Sequence, residues 1–545
     1  RALTVLSDAV ELIRRREPGF RLEDIPPDDP ATGDLLARGE TIGVFQCESD
    51  GAQRTLRKLR ARTVRDLAIA NAFFKPGPAM GGMADAFVRR YRGEERVSYL
   101  HPALEPILRA TKGVLIFQEQ VLRVAREVAG LDWAQADQLR RGMGHFGADQ
   151  MAALREAFIA GCLRRQPEGP GFSPAQAERL WEQIMSFAGY GFNQGHATAY
   201  ADVSYRCAYL KAHWPAEFLA ARLADYGGFH HPAIYMAEAI RLGIPVRPPH
   251  VNFSGEAFTL VDLRIGESRM GESRMANHES AHSPFAHSPF AILFMGLGQV
   301  RDLRHSVIEA IIAERGRRPF ASVADLLGRV ELQAREIAHL IQCGALDGLG
   351  ADRPAMLAEA EALLKMARRR AGRPPAQQLA LPFAEAEEEA ERPTADRGDG
   401  GHHPGGTATD LEALPPEARA QILAWETHVL GLPVSALAHP LAAVSGPIPE
   451  HTSLRSLQDM PGRPVVVAGV RLPGWTGGAG FFLSDGVTFV IARGDKTLRA
   501  PVPWRPLLVR GRWLSDRWGS AWLQVDQMTE LPSIMSRSNH PSTRS

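Results

Sequence analysis

At 545 residues, 45% of them hydrophobic, the chain is long enough for three or four domains with cores of their own. Lys and Arg number 63 against 62 Asp and Glu, a net charge of +1, so an acidic partner must be met by local clusters and not by a global field. Four scattered cysteines without a C-x-x-C pair speak against a disulfide scaffold or a zinc knuckle and fit a reducing cytoplasm.

From its first residues, "RALTVLSDAVELIRRR", the chain reads as an amphipathic helix, and residues 1–245 continue as a mainly helical domain with apolar residues at i, i+3, i+4 and i+7. Within it, "RTLRKLRARTVR" packs six basic residues without an acid, and Arg54, Arg57, Lys58 and Arg60 suit phosphate contacts or a solvated helix face equally well. "FFKPGP" is a rigid turn that presents Lys75. "DQLRRGMG" sets Arg140 and Arg141 near a helix end, where paired guanidiniums suit a polyphosphate or surface ion pairs. In "FAGYGFNQGHATAY", Tyr190, Phe192, His196 and Tyr200 surround glycines, and on spacing alone core filling is favoured over base stacking.

Residues 246–365 form a second helical domain. It is interrupted at 266–290 by two tandem duplications, "GESRMGESRM" and "AHSPFAHSPF", which read as a slippage-derived surface loop. His278, His282 and His287 follow from that duplication more simply than from metal binding, and the doublets His230/His231 and His402/His403 carry no metal expectation either. Residues 366–410 are a Pro-, Ala- and Glu-rich linker. A connecting helix and loop cover 411–460. At 461–532 the period changes to two, with short strands between Gly, Asp and Pro turns, as in a five-stranded barrel of the OB kind. Trp475, Phe481, Phe482, Trp513 and Trp522, with Arg471 and Arg512, are candidates for single-strand stacking, about half of them expected in the core. The tail, 533–545, is polar and expected to be disordered. No apolar run approaches the roughly 20 residues that span a bilayer, and no signal-peptide pattern opens the chain.

In this order, "GETIGVFQCES", "FFKPGPAMGGMADAFVRRYRGEE", "GVLIFQEQVLRVAREVAG", "ADQLRRGMG", "FAGYGFNQGHATAYADVSYRCAYLKAHWPAEF" and "GIPVRPPHVN" resemble the fingers region of bacterial C-family DNA polymerases. This group holds the DNA polymerase III alpha subunit and its error-prone paralogue. The resemblance implies templated nucleotidyl transfer on primer–template DNA. Arg140, Arg141 and Lys75 would contact the triphosphate of a deoxynucleoside triphosphate, and Tyr190, Asn193 and His196 would wall its site. Arg54, Arg57, Lys58 and Arg60 would face phosphates. In "MGLGQV", Gly296 and Gly298 look like a helix-hairpin-helix turn that offers backbone N–H groups to duplex phosphate.

The same resemblance implies Mg²⁺ in the intact enzyme, held by palm aspartates upstream of residue 1. The chain contains no Asp-x-Asp, so the expectation is a C-terminal fragment without catalytic residues of its own that cannot polymerise DNA. Gln194 stands where replicative members usually carry lysine, and "GHFGAD" replaces a lysine-rich stretch after Met143; both tilt the reading to the error-prone, damage-tolerant branch, with a replicative alpha subunit as the alternative. In the linker, Gln378, Leu379, Leu381 and Phe383 fit Q-L-x-L-x-F, which is similar to the peptide bacterial polymerases insert into the sliding clamp. Other mutasome or replisome subunits are further possible partners, and no membrane is expected. A free-standing, clamp-tethered DNA-binding accessory is the non-enzymatic alternative. An RNA-binding OB protein would leave "FFKPGP" and "FAGYGFNQGHATAY" unexplained.

Overall fold

A computed structural model describes residues 1–73, 83–141, 148–187, 192–225, 227–262, 291–371, 411–478, 480–495 and 498–534. Lys75, Tyr190, His278, His282, His287, His402, His403 and the Q-L-x-L-x-F peptide lie outside the described residues.

The helical region comprises α1 (Ala2–Arg14), α2 (Pro30–Arg38), α3 (Asp50–Leu59), α4 (Val64–Phe73), α5 (Met83–Tyr91), α6 (Glu105–Leu108), α7 (Gln118–Arg123), α8 (Trp133–Arg141), α9 (Ala148–Leu163), α10 (Pro174–Phe187), α11 (Gln194–His213), α12 (Pro215–Ala224) and α13 (Pro232–Arg241). Local chemistry sets several of these boundaries. The Asp29 carboxylate accepts from the Thr32 amide at 2.7 Å, Pro30 supplies the preset φ of a first turn, and Gly39 ends α2 in the left-handed region. Ser49 caps α3, and Asn193 caps α11.

Two cores organise this region. Residues of α7 to α10, among them Val121, Leu139, Phe158, Leu180 and Ile184, close a core of their own. The larger core runs from α1 through α4 and α11 to α13, continues beneath the second helical domain and takes in Phe482 of the barrel.

That second domain departs from the helical expectation at its start. β1 (Val246–Arg247), β2 (Thr259–Asp262) and β3 (Ala291–Phe294) form a small sheet of order β1-β3-β2, and the duplicated stretch falls between β2 and β3. The four residues of β3 are all buried, so they show neither a two- nor a 3.6-residue period. Helices follow at His305–Arg317, Val323–Arg329, Ala334–Gln342 and Arg353–Ala371, and beyond the linker at Pro416–Leu430.

The C-terminal strands β4 (Pro464–Leu472), β5 (Phe481–Ser484), β6 (Phe489–Arg493), β7 (Pro506–Ser515) and β8 (Ala521–Glu530) close a barrel in the order β4-β5-β6-β8-β7. β6 and β8 pair in parallel, and the other neighbours are antiparallel. A register shift at Arg510/Gly511 needs glycine, because a Cβ on Gly511 would stand 2.0 Å from the Gln524 carbonyl oxygen. Of the five candidate rings, about half of them expected in the core, three are buried. Phe481 and Trp513 fill the barrel core, and Phe482 packs toward the helical region. Trp475 is 62% exposed, and Trp522 is half-buried. Arg512 is exposed on β7, while Arg471 donates to the Pro501 carbonyl. Among the described residues no helix is long and apolar enough to cross a membrane.

Candidate nucleotide and nucleic-acid interface

Arg140 and Arg141 close the last turn of α8, where the helix dipole favours cations. Both reach back to Asp137: Arg140 Nε lies 2.9 Å from its Oδ1 and Arg141 Nε 2.8 Å from its Oδ2. Their hydrogen bonds and charges, Arg140 foremost, hold the Asp137 carboxyl below its usual pKa. Asp137 is 38% exposed, and an ion pair so open to water stabilises little, which leaves both guanidiniums free to exchange one anion for another.

Arg140 also joins the glycine-rich motif. Its Nη1 donates to the Gln118 side chain at 3.2 Å, and the Gln118 amide donates to the Phe192 carbonyl at 3.0 Å. The next residue, Glu119, accepts from the Gln194 amide at 2.8 Å. α7, α8 and the start of α11 therefore meet at one place. Asn193 is committed as the α11 cap, its Oδ1 accepting from the His196 amide at 2.7 Å. His196 is exposed and stands in a column of rings: Phe192 at 5.6 Å, Tyr200 at 4.0 Å on its other side, and then Phe45, 5.3 Å from Tyr200. The column begins at Phe192, whose carbonyl accepts from the Gln118 amide, and it is solvent-accessible at His196.

The basic helix α3 divides its charges. Arg57 is structural: its Nε donates to the Arg38 carbonyl at 2.8 Å, closing the end of α2, and burial lowers its pKa. Arg54 is 40% exposed and pairs with Asp50 at 2.7 Å. Arg60 is exposed in a left-handed conformation at the helix end, and Lys58 is half-exposed. At the "MGLGQV" turn, the Gly298 amide is spent inside the protein on the Glu256 carbonyl at 2.9 Å. Gly296 is required by packing, since a Cβ there would lie 2.1 Å from the same carbonyl oxygen. Gly298 itself is exposed.

Several residues that organise the site carry little signal in the sequence. Lys211 is fully buried in α11 and donates from Nζ to the carbonyls of Glu40 at 2.7 Å and Ile42 at 2.8 Å and to the Glu238 carboxylate at 2.6 Å. It ties the "GETIGVF" turn to α13, and its one visible sign is a lysine on an otherwise apolar helix face. His230 sits between the helical region and the barrel, with Nε2 3.3 Å from the Glu48 carbonyl and Nδ1 3.2 Å from the Trp475 carbonyl. Burial pushes its pKa down to about 4. His231 caps α13. Gln118 and Glu119 do their work largely through backbone partners, which no residue pattern announces.

Residues 2–166 match the bacterial DNA polymerase III alpha subunit finger domain, and residues 243–356 match a helix-hairpin-helix motif. The chain is 36% identical over 511 residues to the DNA polymerase III subunit alpha of Thermus aquaticus, a match covering 89% of this chain and 37% of that protein. It is 36% identical over 363 residues to an error-prone DNA polymerase of Anaeromyxobacter sp. (strain K), covering 64% of this chain and 30% of that one. A DNA polymerase III subunit alpha of Caulobacter vibrioides is 34% identical over 370 residues, 67% of this chain and 29% of the relative. The chain thus spans about a third of the length of these curated relatives, from 37% down to 29%. With its arginine pair joined to the glycine-rich motif, a helix-hairpin-helix region and a closed terminal barrel in sequence, the chain belongs to the bacterial C-family DNA polymerases, the group of the DNA polymerase III alpha subunit and the error-prone DNA polymerases.

Proposed function

We propose that this chain supplies the nucleotide- and DNA-holding portion of a bacterial DNA polymerase that carries out templated nucleotidyl transfer. The observation that carries this reading is the junction of Arg140, Gln118 and Phe192, which links the arginine-bearing end of α8 to the start of the Phe192–His196–Tyr200 rings. A triphosphate would take the place of Asp137 on Arg140 and Arg141, gaining charge-assisted bonds in exchange for a weak, exposed pair. Its base would meet the ring column. Primer–template DNA would lie along Arg54, Lys58, Arg60 and the helix-hairpin-helix region.

Mg²⁺ belongs to this proposal as the metal of the intact polymerase. Among the described residues no three His, Cys, Asp or Glu side chains converge as ligands, so the described residues do not fit the metal. The metal-holding carboxylates would come from outside this chain. The error-prone branch is favoured by Gln194, a neutral side chain in the first turn of α11, where lysine would add a fixed charge. The sliding clamp is the proposed partner of residues 378–383.

The test is anisotropy on a labelled primer–template with all four deoxynucleoside triphosphates. Nucleotide-dependent binding that weakens with salt and is lost in Arg140→Ala/Arg141→Ala supports the reading; binding indifferent to both arginines refutes the assigned site. Template-directed extension by the chain alone would refute the placement of the metal ligands.

A further inference from the structure

The turn "GETIGVFQCES" is held from several sides, and it presents one polar side chain to solvent in a conformation that side chains seldom adopt. We propose that Gln46 is a contact residue sensitive to base pairing, whose carboxamide donates to the minor-groove edge of the base pair at the growing end of primer–template DNA. The inference rests on the polymerase reading and adds to it a contact that depends on pairing geometry and not on sequence.

Gln46 has φ +61°, in the left-handed region that is uncommon for any residue but glycine. Its surroundings hold it there. The Thr41 hydroxyl donates to the Cys47 carbonyl at 2.6 Å, and the Cys47 amide donates to the Val44 carbonyl at 3.0 Å. From α11 the Ser204 hydroxyl donates to the Phe45 carbonyl at 2.8 Å, and from α3 the Gln53 amide group donates to the Glu48 carbonyl at 3.2 Å. The Gly43 amide donates to the Glu48 carboxylate at 2.8 Å. Cys47 and Glu48 are buried, whereas Gln46 is exposed. Glycine would take this φ without strain, so the turn keeps a strained backbone for the sake of the side chain it carries.

That side chain stands at the inner end of the ring column, one residue beyond Phe45. Phe45, Gln46, Asn71 and Arg222 line one cavity of about 500 Å³. Its wall offers hydrogen-bond donors: among the described residues, Asn71 Nδ2 and Arg222 Nε are buried without a hydrogen-bond partner. Arg222 itself is only 7% exposed. A wall of donors fits a ligand edge made of acceptors, and the minor groove supplies one, since every base pair presents a purine N3 and a pyrimidine O2 there. One amide donor can therefore serve all four templated pairs, and a mispair that displaces the acceptor loses the bond. A phosphate would be met better by a cation than by a neutral carboxamide.

The experiment measures anisotropy of the full chain on labelled primer–template DNA in which 3-deazaadenine or 3-deazaguanine, with C–H in place of the N3 acceptor, is moved in turn through the last pairs of the primer end. In the unaltered chain one of these positions should weaken binding about five- to tenfold. Gln46→Gly should weaken binding to natural primer–template by a similar factor and should no longer respond to the 3-deaza base, while its melting temperature is unchanged or higher because the left-handed backbone is relieved. Gln46→Met, which keeps the length and removes the donor, should match Gln46→Gly on DNA. Unaltered binding by Gln46→Gly, with binding still lost in Arg140→Ala/Arg141→Ala, overturns the Gln46 contact and leaves the polymerase reading standing. A loss that is the same on natural and 3-deaza DNA at every position places the contact on the sugar–phosphate backbone and overturns the base-edge assignment. A lower melting temperature in Gln46→Gly makes the side chain part of the turn's own structure and overturns the proposal as well. Absence of primer–template binding by the unaltered chain overturns both readings.

Discussion

Arg353 and Glu426 stand on opposite sides of the linker, 73 positions apart, and meet in the protein interior, the Arg353 guanidinium 3.2 Å from the Glu426 carboxylate. Arg353 also pairs with Asp347 at 2.7 Å, and Ser435 donates its hydroxyl to Glu426 at 2.6 Å. Burial raises the Glu426 pKa against the opposing pull of Arg353. Removing one member leaves the others charged and dry. Glu426→Ala should therefore cost about 3–5 kcal/mol of stability in denaturant titration, whereas a coordinated apolar replacement of the cluster should cost far less.

The Lys211–Glu238–Arg241 cluster sets an acid limit on the helical region. Burial pushes the Glu238 pKa up, but Arg241 and Lys211 outweigh it and bring it down to about 2 from the usual 4.5. A carboxyl whose folded pKa is depressed gives stability that is complete above the unfolded pKa and is lost as pH falls through the folded one. Stability should decline between about pH 4.5 and pH 2, and Glu238→Gln should be less stable at pH 7 and flatter across that window. Thermal melts at stepped pH check it. An unchanged acid profile in the variant would refute the assignment.

His230 adds a second acid-sensitive contact, at the barrel. Its pKa is depressed from 6.5 to about 4, so the docked state binds the proton less well than a released one. Docking should be firm above pH 6.5 and weaken as pH falls from there toward 4. Glu48 and Tyr235 flank the ring from the helical side, with the Glu238 charge opposing the burial, and the barrel faces it with the Trp475 carbonyl and Phe482; among the described residues no barrel carboxylate reverses the sign. Hydrogen exchange at the Asp50 amide, which is held by Thr476, reports the docking directly and should quicken over that range.

Gly477 separates contact from backbone strain at the same junction. It has φ +85°, and a Cβ there would stand 2.9 Å from Ser49 Cβ. Gly519, at φ +87°, has open space around it. Gly477→Ala should cost about 1–3 kcal/mol more than Gly519→Ala and should speed exchange at Asp50, which Gly519→Ala leaves alone. Equal costs for the two would mean that strain alone acts at Gly477.

Much of this organisation could be read from residue patterns, for identifiable reasons. Helices such as α1 and strands such as β7 keep one face buried, so period 3.6 and period 2 are visible there. β3 is buried on both faces and hid in an apolar run. Arg140 and Arg141 stood out as charged neighbours, but their link to Phe192 runs through the Gln118 side chain and a backbone amide, which leave no spacing rule behind. Arg57 looked like its neighbours Arg54 and Lys58 because composition does not distinguish an arginine that closes a helix end from one that faces water. Among the barrel rings, Phe481 and Trp513 point inward, and Trp518, which lies in the β7–β8 turn, had no strand period to mark it.

Arg353 and Glu426 pin together the helices Arg353–Ala371 and Pro416–Leu430, and Gln378 lies seven positions beyond Ala371 in the sequence. Seven residues reach at most about 25 Å, so the proposed clamp partner would be held close to the helix-hairpin-helix region. Leu379, Leu381 and Phe383 would each contribute up to about 1.5–3 kcal/mol on entering an apolar groove, before the cost of ordering the segment. Leu381→Ala with Phe383→Ala should weaken binding to a purified bacterial sliding clamp by about a hundredfold or more while leaving primer–template affinity and the melting temperature unchanged. A loss of DNA affinity in the same variant would place the two side chains in the DNA-holding body instead, and undiminished clamp binding would remove the motif from the account.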